Sequence, residues 1–492
     1  MGNNKNFVAS IKEYIDNNYA DQEICMDFFN EMTGYHVNYI TTTFRRLYGV
    51  TPIEYLQTVR LEKAKTFIES GMPLGQVVYK AGYSSQRTFY RIFEQNTGMT
   101  PGIYKRRAIK TYEQFKEMVN INNLRPLDYA KKACAFIMHE YSPANLIKIP
   151  MEGSPCSWVY WNGMTLLGFW KVYECCNKKE YYNYIKEWVE DVIKNDSSKF
   201  YEKIELWGKL DSRQPLSVLL ELYNKAPDER YIEKADRLMK TLKEHPTTSD
   251  GILCHYYTVK NHVYINSIYM VCPSMCRYAK IKNEPYFYDI AALQPELMYK
   301  RMLNKKTGLL CYGYDESKSA DWADPKAGLS PETWGRAMGY YVMGILDMLD
   351  FLPDEHISRA VLENILKNCL NSIKKYQHES GRWYQIPDMP ELEDNGLENS
   401  CSCMFTYAFA KAVNMGLLDK EYAETAIRGY SGIIDTITYD VRGRMLLKNI
   451  CITKTIGDLN IYMEDTANIN NLHGLGPFIL MCTEIEKMLN NI

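Results

Sequence analysis

Residues 82–107 read GYSSQRTFYRIFEQNTGMTPGIYKRR, and this stretch decides the fold of the first part of the chain. Its landmarks repeat residues found 49 positions earlier: Phe93, Gly98, Thr100, Pro101 and Tyr104 match Phe44, Gly49, Thr51, Pro52 and Tyr55. Each copy has the pattern of a helix, a turn and a second helix. A long helix, PIEYLQTVRLEKAKTFIES, joins the copies and is predicted to end at Gly71. A repeat this dense predicts two helix-turn-helix units.

The repeated segment resembles the DNA-binding domain of the AraC/XylS family of transcription regulators, over about residues 5–107. The resemblance implies that the second helix of each unit enters a major groove, one turn of the duplex apart. The side chains expected to face DNA on the first unit are Asn38, Thr41, Thr42 and Arg45. On the second unit they are Ser85, Gln86, Arg87, Tyr90 and Arg91.

Several of these residue types can read or hold DNA. Arginine and glutamine suit guanine and adenine edges, and threonine can contact a thymine methyl group. Lys105, Arg106 and Arg107 are expected to hold phosphate. Residues 1–107 carry 13 lysines and arginines against 10 acidic residues, a balance of +3. That balance is low for a DNA binder and favours modest affinity, and a helical protein-interaction module is the alternative.

Composition limits the other classes of function. The 492 residues suffice for two domains with large cores, and a net charge of −2 gives no overall attraction to nucleic acid or anionic membrane. We expect no export signal and no membrane span, and therefore a cytoplasmic location. The 14 cysteines show no metal-binding spacing and are expected to be reduced, so neither a metal nor another cofactor is predicted.

Tryptophan usage divides the chain. All eight tryptophans lie between Trp158 and Trp383, and none lies in the first 150 residues. We therefore predict a DNA-binding domain at 1–107, a linker at 108–123 and a second domain at 124–492. In the second domain helical patterns alternate with loops, and only GLLCYGYDES and GRMLLKNI suggest short strands. The pattern favours an all-α toroid of helical hairpins with a pocket at one end.

The loops of the second domain are rich in groups that bind sugars. Aromatic rings stack on sugar rings, and arginine pairs with a carboxylate in a bidentate manner. Seven segments in order resemble glycoside hydrolase family 105, the unsaturated rhamnogalacturonyl hydrolases. They are WNGMTLLGFWKVYE, LDSRQP, PTTSDGILCH, GLLCYGYDESKSADWADP, SPETWGRAMGYY, ELEDNGLENSCSCMFTYAFAKAV and NNLHGLGPFIL.

The resemblance covers about residues 158–480 and implies an (α/α)6 barrel. It also implies a substrate: an oligosaccharide, released from pectin by a lyase, that ends in an unsaturated uronate. In that family a catalytic aspartate protonates the ring double bond, water adds, and the hemiketal opens to release rhamnose. No metal or organic cofactor is used.

Carried over residue by residue, the resemblance assigns pocket roles to Asp211, His255 and Arg336. The family's catalytic aspartate begins the motif D-[GS]-[LI]-[YF]-M, which here reads Asn266-Ser267-Ile268-Tyr269-Met270. Two further positions differ, with Tyr312 where histidine is usual and Tyr340 where tryptophan is usual. The remaining residues expected to line the sugar site are Trp158, Tyr160, Tyr264 and Trp334.

An amide at position 266 changes the chemistry, because it cannot donate and recover a proton near neutral pH. One hypothesis is a sugar sensor with little or no turnover that controls the DNA-binding domain. Another is an active hydrolase in which Asp211 supplies the proton. A third makes the barrel a dimerisation scaffold. The hypothesised partners are double-stranded DNA and an unsaturated uronate oligosaccharide, with no membrane, and the hypothesised assembly is a homodimer.

Overall fold

The computed structural model describes residues 3–69, 72–105, 121, 123–146, 157–194, 209–452, 456–457, 459–463 and 468–491. The chain divides into two compact units, Met1–Glu117 and Met118–Asn491. The predicted linker 108–123 lies mostly outside the described residues, as do Gly71, Arg106 and Arg107.

The first unit consists of short helices around two separate cores. Its helices are α1 Asn3–Asn18, α2 Met26–Thr33, α3 Val37–Tyr48, α4 Pro52–Glu69, α5 Leu74–Lys80 and α6 Gln86–Thr97. One core contains Phe29 and Phe44, and the other contains Phe89 and Phe93. Helix α4 contributes Leu56 to the first core and later residues to the second, so it joins the two helix-turn-helix units.

The sequence repeat reappears as a repeated helix end. Gly49 ends α3 with φ +79°, and Gly98 ends α6 with φ +70°. This left-handed conformation costs glycine little because it has no Cβ. Helices α3 and α6, the predicted DNA-recognition helices of the two units, therefore end at the same point of the repeat.

The second unit is built from pairs of helices. Its main helices are α7 Pro126–Glu140, α8 Tyr160–Cys176, α9 Lys179–Lys194, α10 Leu216–Lys225, α11 Glu229–Leu242, α12 Ser267–Lys282, α13 Tyr286–Met302, α14 Gly335–Leu349, α15 Arg359–Lys375, α16 Asn399–Asn414, α17 Ala423–Ile434, α18 Leu459–Met463 and α19 Leu472–Asn491. Short 3-10 helices lie at Pro143–Asn145, Leu210–Arg213 and Lys420–Tyr422.

Six of these helices form a closed inner ring within the described part of the chain. Helices α8, α10, α12, α14, α16 and α19 each contact the next, and α19 contacts α8. Helices α7, α9, α11, α13, α15 and α17 pack outside the ring. This arrangement is the predicted (α/α)6 barrel, and the prediction of an all-α protein with an N-terminal double helix-turn-helix domain is confirmed.

Sequence explains which helices lie inside. Every residue of α14 is buried, and α12 is buried from Ser267 to Ala279, because these segments are apolar on all sides. Outer helix α11 instead alternates buried residues with exposed charges, as an amphipathic surface helix does.

The strands are short and paired in antiparallel fashion. They are β1 His262–Tyr264 with β2 Gly313–Asp315, β3 Trp383–Tyr384 with β4 Leu397–Glu398, and β5 Thr438–Tyr439 with β6 Met445–Leu446. Strands β2 and β6 fall in the two segments in which the sequence suggested strands. Strand β1 ends just before inner helix α12, and β4 ends directly before α16, so both pairs lie beside helix N-termini.

Candidate functional site

The candidate residues of the barrel lie where inner helices begin. Tyr160 opens α8, Asn266 precedes α12, and Arg336 lies in the first turn of α14. First-turn residues of neighbouring inner helices contact one another. The Tyr160 hydroxyl lies 2.9 Å from Nε2 of His473 in α19, and Arg336 Nη1 lies 3.4 Å from Ser400 Oγ in α16. Because helix N-termini carry partial positive charge, this end of the barrel favours an anion.

One group of residues in the site presents acceptor atoms. Asp211 Oδ1 and Asn266 Oδ1 are buried and accept no hydrogen bond from the described residues. Asp211 Oδ1 lies 3.8 Å from His255 Nε2, while His255 Nδ1 lies 2.9 Å from Ser267 Oγ. Burial lowers the pKa of His255, and the nearby Asp211 carboxylate opposes that shift. His255 is therefore neutral at neutral pH, and the carboxylate and amide oxygens can accept hydrogen bonds from a ligand.

Another group of residues in the site presents donor atoms. Trp334 Nε1 and Arg336 Nε are buried without a hydrogen-bond partner among the described residues, and the Tyr340 hydroxyl is too. Arg336 is fully buried and donates to the backbone carbonyls of Cys451 (2.6 Å) and Ile452 (2.8 Å). Within the described chain it forms no ion pair with a carboxylate. Its guanidinium carbon lies 4.6 Å from the centre of the Trp334 ring.

Aromatic rings connect the two groups. The Tyr264 ring stacks on His255 at 4.6 Å and lies 5.4 Å from Tyr312, which in turn lies 5.1 Å from Trp334. Tyr340 lies 6.1 Å from Tyr160. Burial raises the pKa of the Tyr264, Tyr312 and Tyr340 hydroxyls, so all three are neutral at physiological pH.

Trp158, predicted to be a sugar platform, is packed by neighbouring side chains. Its indole nitrogen donates to Ser212 O at 2.8 Å, and its ring stacks on Trp188 at 5.6 Å. Lys234 Nζ lies 4.3 Å from its ring centre. Trp158 is 3% exposed, the same fraction as Trp334, and its contact with a sugar stays a prediction.

Two buried polar residues near this site were missed in the sequence. Ser267 Oγ contacts His255, as described above. Glu332 is fully buried, and burial raises its pKa to about 7. Its Oε1 accepts a 2.5 Å hydrogen bond from the Tyr462 hydroxyl, and its Oε2 has no partner among the described residues. The motif SPETWGR contains no signal for this, because Tyr462 lies 130 positions away.

Within the described residues no group of three or more histidine, cysteine, aspartate or glutamate side chains could hold a metal ion. None of the described helices has the length and the apolar character that crossing a bilayer requires.

The candidate DNA-contacting residues lie on recognition helices α3 and α6 and just before α6. Asn38, Thr42, Arg45, Gln86, Arg87 and Arg91 are exposed, whereas Thr41, Ser85 and Tyr90 are partly buried. Ser85 was expected to be exposed, but its hydroxyl accepts from the backbone N–H of Thr88 and caps α6. Lys105, predicted to hold phosphate, donates to Met72 O at 3.0 Å within the domain.

The two recognition helices differ in how their arginines are paired. Arg45 lies 3.6 Å from Glu54. Arg87 and Arg91 form no ion pair with any described residue. The second unit therefore presents the freer positive charge.

Comparison with known proteins agrees with both architectures. Residues 129–489 match Glycosyl Hydrolase Family 88, and residues 30–107 match a helix-turn-helix domain. A solved family 105 glycoside hydrolase from C. acetobutylicum ATCC 824 is 31% identical, with a TM-score of 0.67 over 73% of this chain and 99% of its own. These matches confirm the two resemblances seen in the sequence.

Curated relatives point the same way. The unsaturated rhamnogalacturonyl hydrolase YesR of Bacillus subtilis is 24% identical over 314 residues, which cover 60% of this chain and 82% of YesR. Protein Atu3128 of Agrobacterium fabrum is 31% identical over 191 residues, covering 36% of this chain and 82% of that protein.

Proposed function

Because the chain belongs to Glycosyl Hydrolase Family 88 and also carries a helix-turn-helix domain, we propose that it is a sugar-responsive transcription regulator. Its barrel binds an oligosaccharide derived from pectin or rhamnogalacturonan that ends in an unsaturated uronate. Turnover is weak or absent. The second partner is double-stranded DNA, the site of action is the cytoplasm, and no cofactor takes part.

The observation that carries this proposal is a set of buried polar atoms that have no hydrogen-bond partner among the described residues. Trp334 Nε1 and Arg336 Nε can only donate, whereas Asn266 Oδ1 can only accept and Asp211 Oδ1 accepts when its carboxyl group is ionised. A uronate ring has the complementary polarity, with a carboxylate on one edge and hydroxyl groups on others. A fully buried arginine without a carboxylate partner among the described residues supports an anionic ligand in particular.

The proposed lack of turnover rests on Asn266. This amide occupies the position of the acid in the related hydrolases and can hydrogen-bond a sugar. It cannot protonate a double bond, and losing a general acid typically removes about 10²- to 10⁴-fold of rate. Tyr312 and Tyr340, at two other altered positions, remain neutral hydrogen-bonding groups. The site therefore keeps the means to bind while losing the means to react.

A second candidate function is active hydrolysis with Asp211 as the proton donor. One observation favours it: Asp211 Oδ1 is buried, accepts no hydrogen bond from the described residues and lies 3.8 Å from His255 Nε2. A carboxyl group in that position could reach a bound sugar directly. YesR, a relative of the barrel, is named as a hydrolase.

One experiment separates the two functions. The purified protein is titrated calorimetrically with an unsaturated galacturonyl-rhamnose disaccharide, and the absorbance of the double bond is followed in parallel. Binding without loss of absorbance supports the sensor. Turnover at rates usual for enzymes, about 1 to 10³ per second, supports the hydrolase instead. A sugar that neither binds nor reacts contradicts both.

We further propose a homodimer, because helix-turn-helix regulators commonly bind paired half-sites as dimers. The solution mass, measured with and without the disaccharide, tests this. A monomer under both conditions would rule it out.

A further inference from the structure

The side chain of Ser267, the first residue of α12, makes a single hydrogen bond among the described residues. Its hydroxyl oxygen lies 2.9 Å from Nδ1 of His255, and both side chains are buried, with relative exposures of 1% and 4%. The His255 ring contacts two tyrosine rings, Tyr264 stacked at 4.6 Å and Tyr256 edge-on at 4.7 Å. The ring therefore has little freedom to rotate, and its two nitrogens point to different partners.

The hydrogen bond from Ser267 determines which nitrogen of the His255 imidazole carries the proton. A buried hydroxyl proton needs an acceptor, and His255 Nδ1 is the only one within reach of Ser267 Oγ in the described structure. Nδ1 can accept only if it carries no proton. The proton of the neutral ring must then be on Nε2, which faces the Asp211 carboxylate. The carboxylate favours the same form, so two independent neighbours agree.

We infer that Ser267 is a positioning residue that holds His255 in the Nε2–H form, so that His255 and Asp211 together clamp one hydroxyl group of the ligand. The distance of 3.8 Å between Nε2 and Oδ1 is too long for a direct hydrogen bond. A hydroxyl oxygen between them accepts from Nε2–H and donates to Oδ1. An ether or a deoxy position cannot do both. This inference rests on the proposed function only for the identity of the ligand.

The first test needs no ligand. The ring ¹⁵N chemical shifts of selectively labelled histidines report the tautomer, and the His255→Asn variant assigns the His255 signals. We expect the Nε2–H form in the natural protein and a smaller fraction of it in Ser267→Ala, where only the Asp211 carboxylate still favours that form. The matched control is Ser274→Ala in the same helix. Ser274 is also buried, but it bonds Ser217 Oγ and Arg213 O.

Two results of that test would overturn the inference. One is an Nδ1–H form in the natural protein, and the other is an unchanged tautomer in Ser267→Ala. Ser267→Thr keeps a hydroxyl and should restore the Nε2–H form. A failure of the sugar to bind leaves these spectra unaffected, so the positioning role and the proposed function can fail separately.

The second test reads the clamp itself. Calorimetry compares the unsaturated disaccharide with analogues in which single uronate hydroxyls are replaced by hydrogen. We expect Ser267→Ala to weaken binding of the unsaturated disaccharide roughly two- to tenfold, the range for one neutral hydrogen bond. The analogue that lacks the clamped hydroxyl should bind equally well to the natural protein and to Ser267→Ala. A changed tautomer combined with unchanged affinity for every sugar would overturn the clamp.

Discussion

The helix-turn-helix domain and the barrel present their candidate binding groups in opposite ways. In the first, Arg87 and Arg91 are exposed to solvent, which satisfies them when no DNA is bound. In the second, Asn266 and Arg336 are buried, and each has a hydrogen-bonding atom without a partner among the described residues. A buried group of this kind costs free energy until a ligand forms the hydrogen bond. The comparison teaches that buried unpartnered atoms indicate the shape and polarity of a ligand, whereas exposed charges indicate only its sign.

The largest expected effect comes from restoring an acid to the barrel. Asn266→Asp should raise hydrolysis of the unsaturated disaccharide by about 10²- to 10⁴-fold, because a carboxyl group can donate and recover the proton. Loss of the double-bond absorbance measures this. Asn266→Ala, which supplies no acid, is the matched control and should show no gain. If Asn266→Asp still binds sugar but does not react, the site has been remodelled beyond its acid.

Arg336 tests the donor side of the barrel site. Arg336→Lys should weaken uronate binding by about 2–5 kcal/mol, or roughly 30-fold or more. Lysine lacks the planar guanidinium group that can form two hydrogen bonds to the uronate carboxylate. Calorimetry measures the loss. Arg382→Lys is the control, because Arg382 donates to Leu397 O and Asn399 Oδ1 instead.

Arg336 also donates to the backbone carbonyls of Cys451 and Ile452, so its replacement changes more than the ligand contact. A second test therefore changes the ligand and leaves the protein intact. The natural protein should discriminate against a disaccharide whose uronate carboxyl is reduced to an alcohol. Equal affinity for the acid and the alcohol would show that the buried arginine does not read a carboxylate.

Glu332 should make the stability of the barrel depend on pH, because burial raises the pKa of its carboxyl group to about 7. Between the unfolded value near 4.5 and 7, the folded protein holds the extra proton, so stability falls as pH rises through that window. Glu332→Gln should remove this cost and stabilise the protein at pH 8 by up to roughly 3 kcal/mol, with little gain at pH 4.5. Chemical unfolding at both pH values measures it, with Glu379→Gln on the surface as control. A gain independent of pH would contradict the shifted carboxyl.

Sequence predicted the architecture well because its signals are local or regularly spaced. The 49-residue repeat needs only one comparison along the chain, and a toroid of helical hairpins follows from successive helical segments. The seven segments that resemble glycoside hydrolase family 105 implied the (α/α)6 barrel and the candidate site residues Asp211, His255, Asn266 and Arg336. The roles of Ser267 and Glu332 depend instead on contacts with residues distant in sequence, which no local pattern contains. Trp158 shows the converse, because a tryptophan beside a pocket motif looks the same in sequence whether its ring faces are open or packed.

The smallest effects are expected in the DNA-binding domain, where the repeat itself supplies a comparison. Arg91→Ala should weaken DNA binding by about 1–3 kcal/mol, or roughly 5- to 150-fold, and reduce its salt dependence if Arg91 contacts phosphate. Arg45→Ala should cost less, because Glu54 lies 3.6 Å from Arg45 and offsets part of its positive charge. Fluorescence anisotropy with a labelled operator duplex measures both.

Glu54 explains why the two units should differ, since the equivalent position 49 residues later is Ile103. The Glu54 side chain accepts from the Thr51 backbone N–H at 2.7 Å, and the Glu54 backbone N–H donates to Thr51 Oγ1 at 3.2 Å. Glutamine preserves this reciprocal cap while removing the charge. Glu54→Gln should therefore tighten DNA binding a few-fold, and the gain should disappear in the Arg45→Ala background. A gain that persists without Arg45 would contradict this account, because it would mean that Glu54 repels the duplex directly and does not act through the arginine.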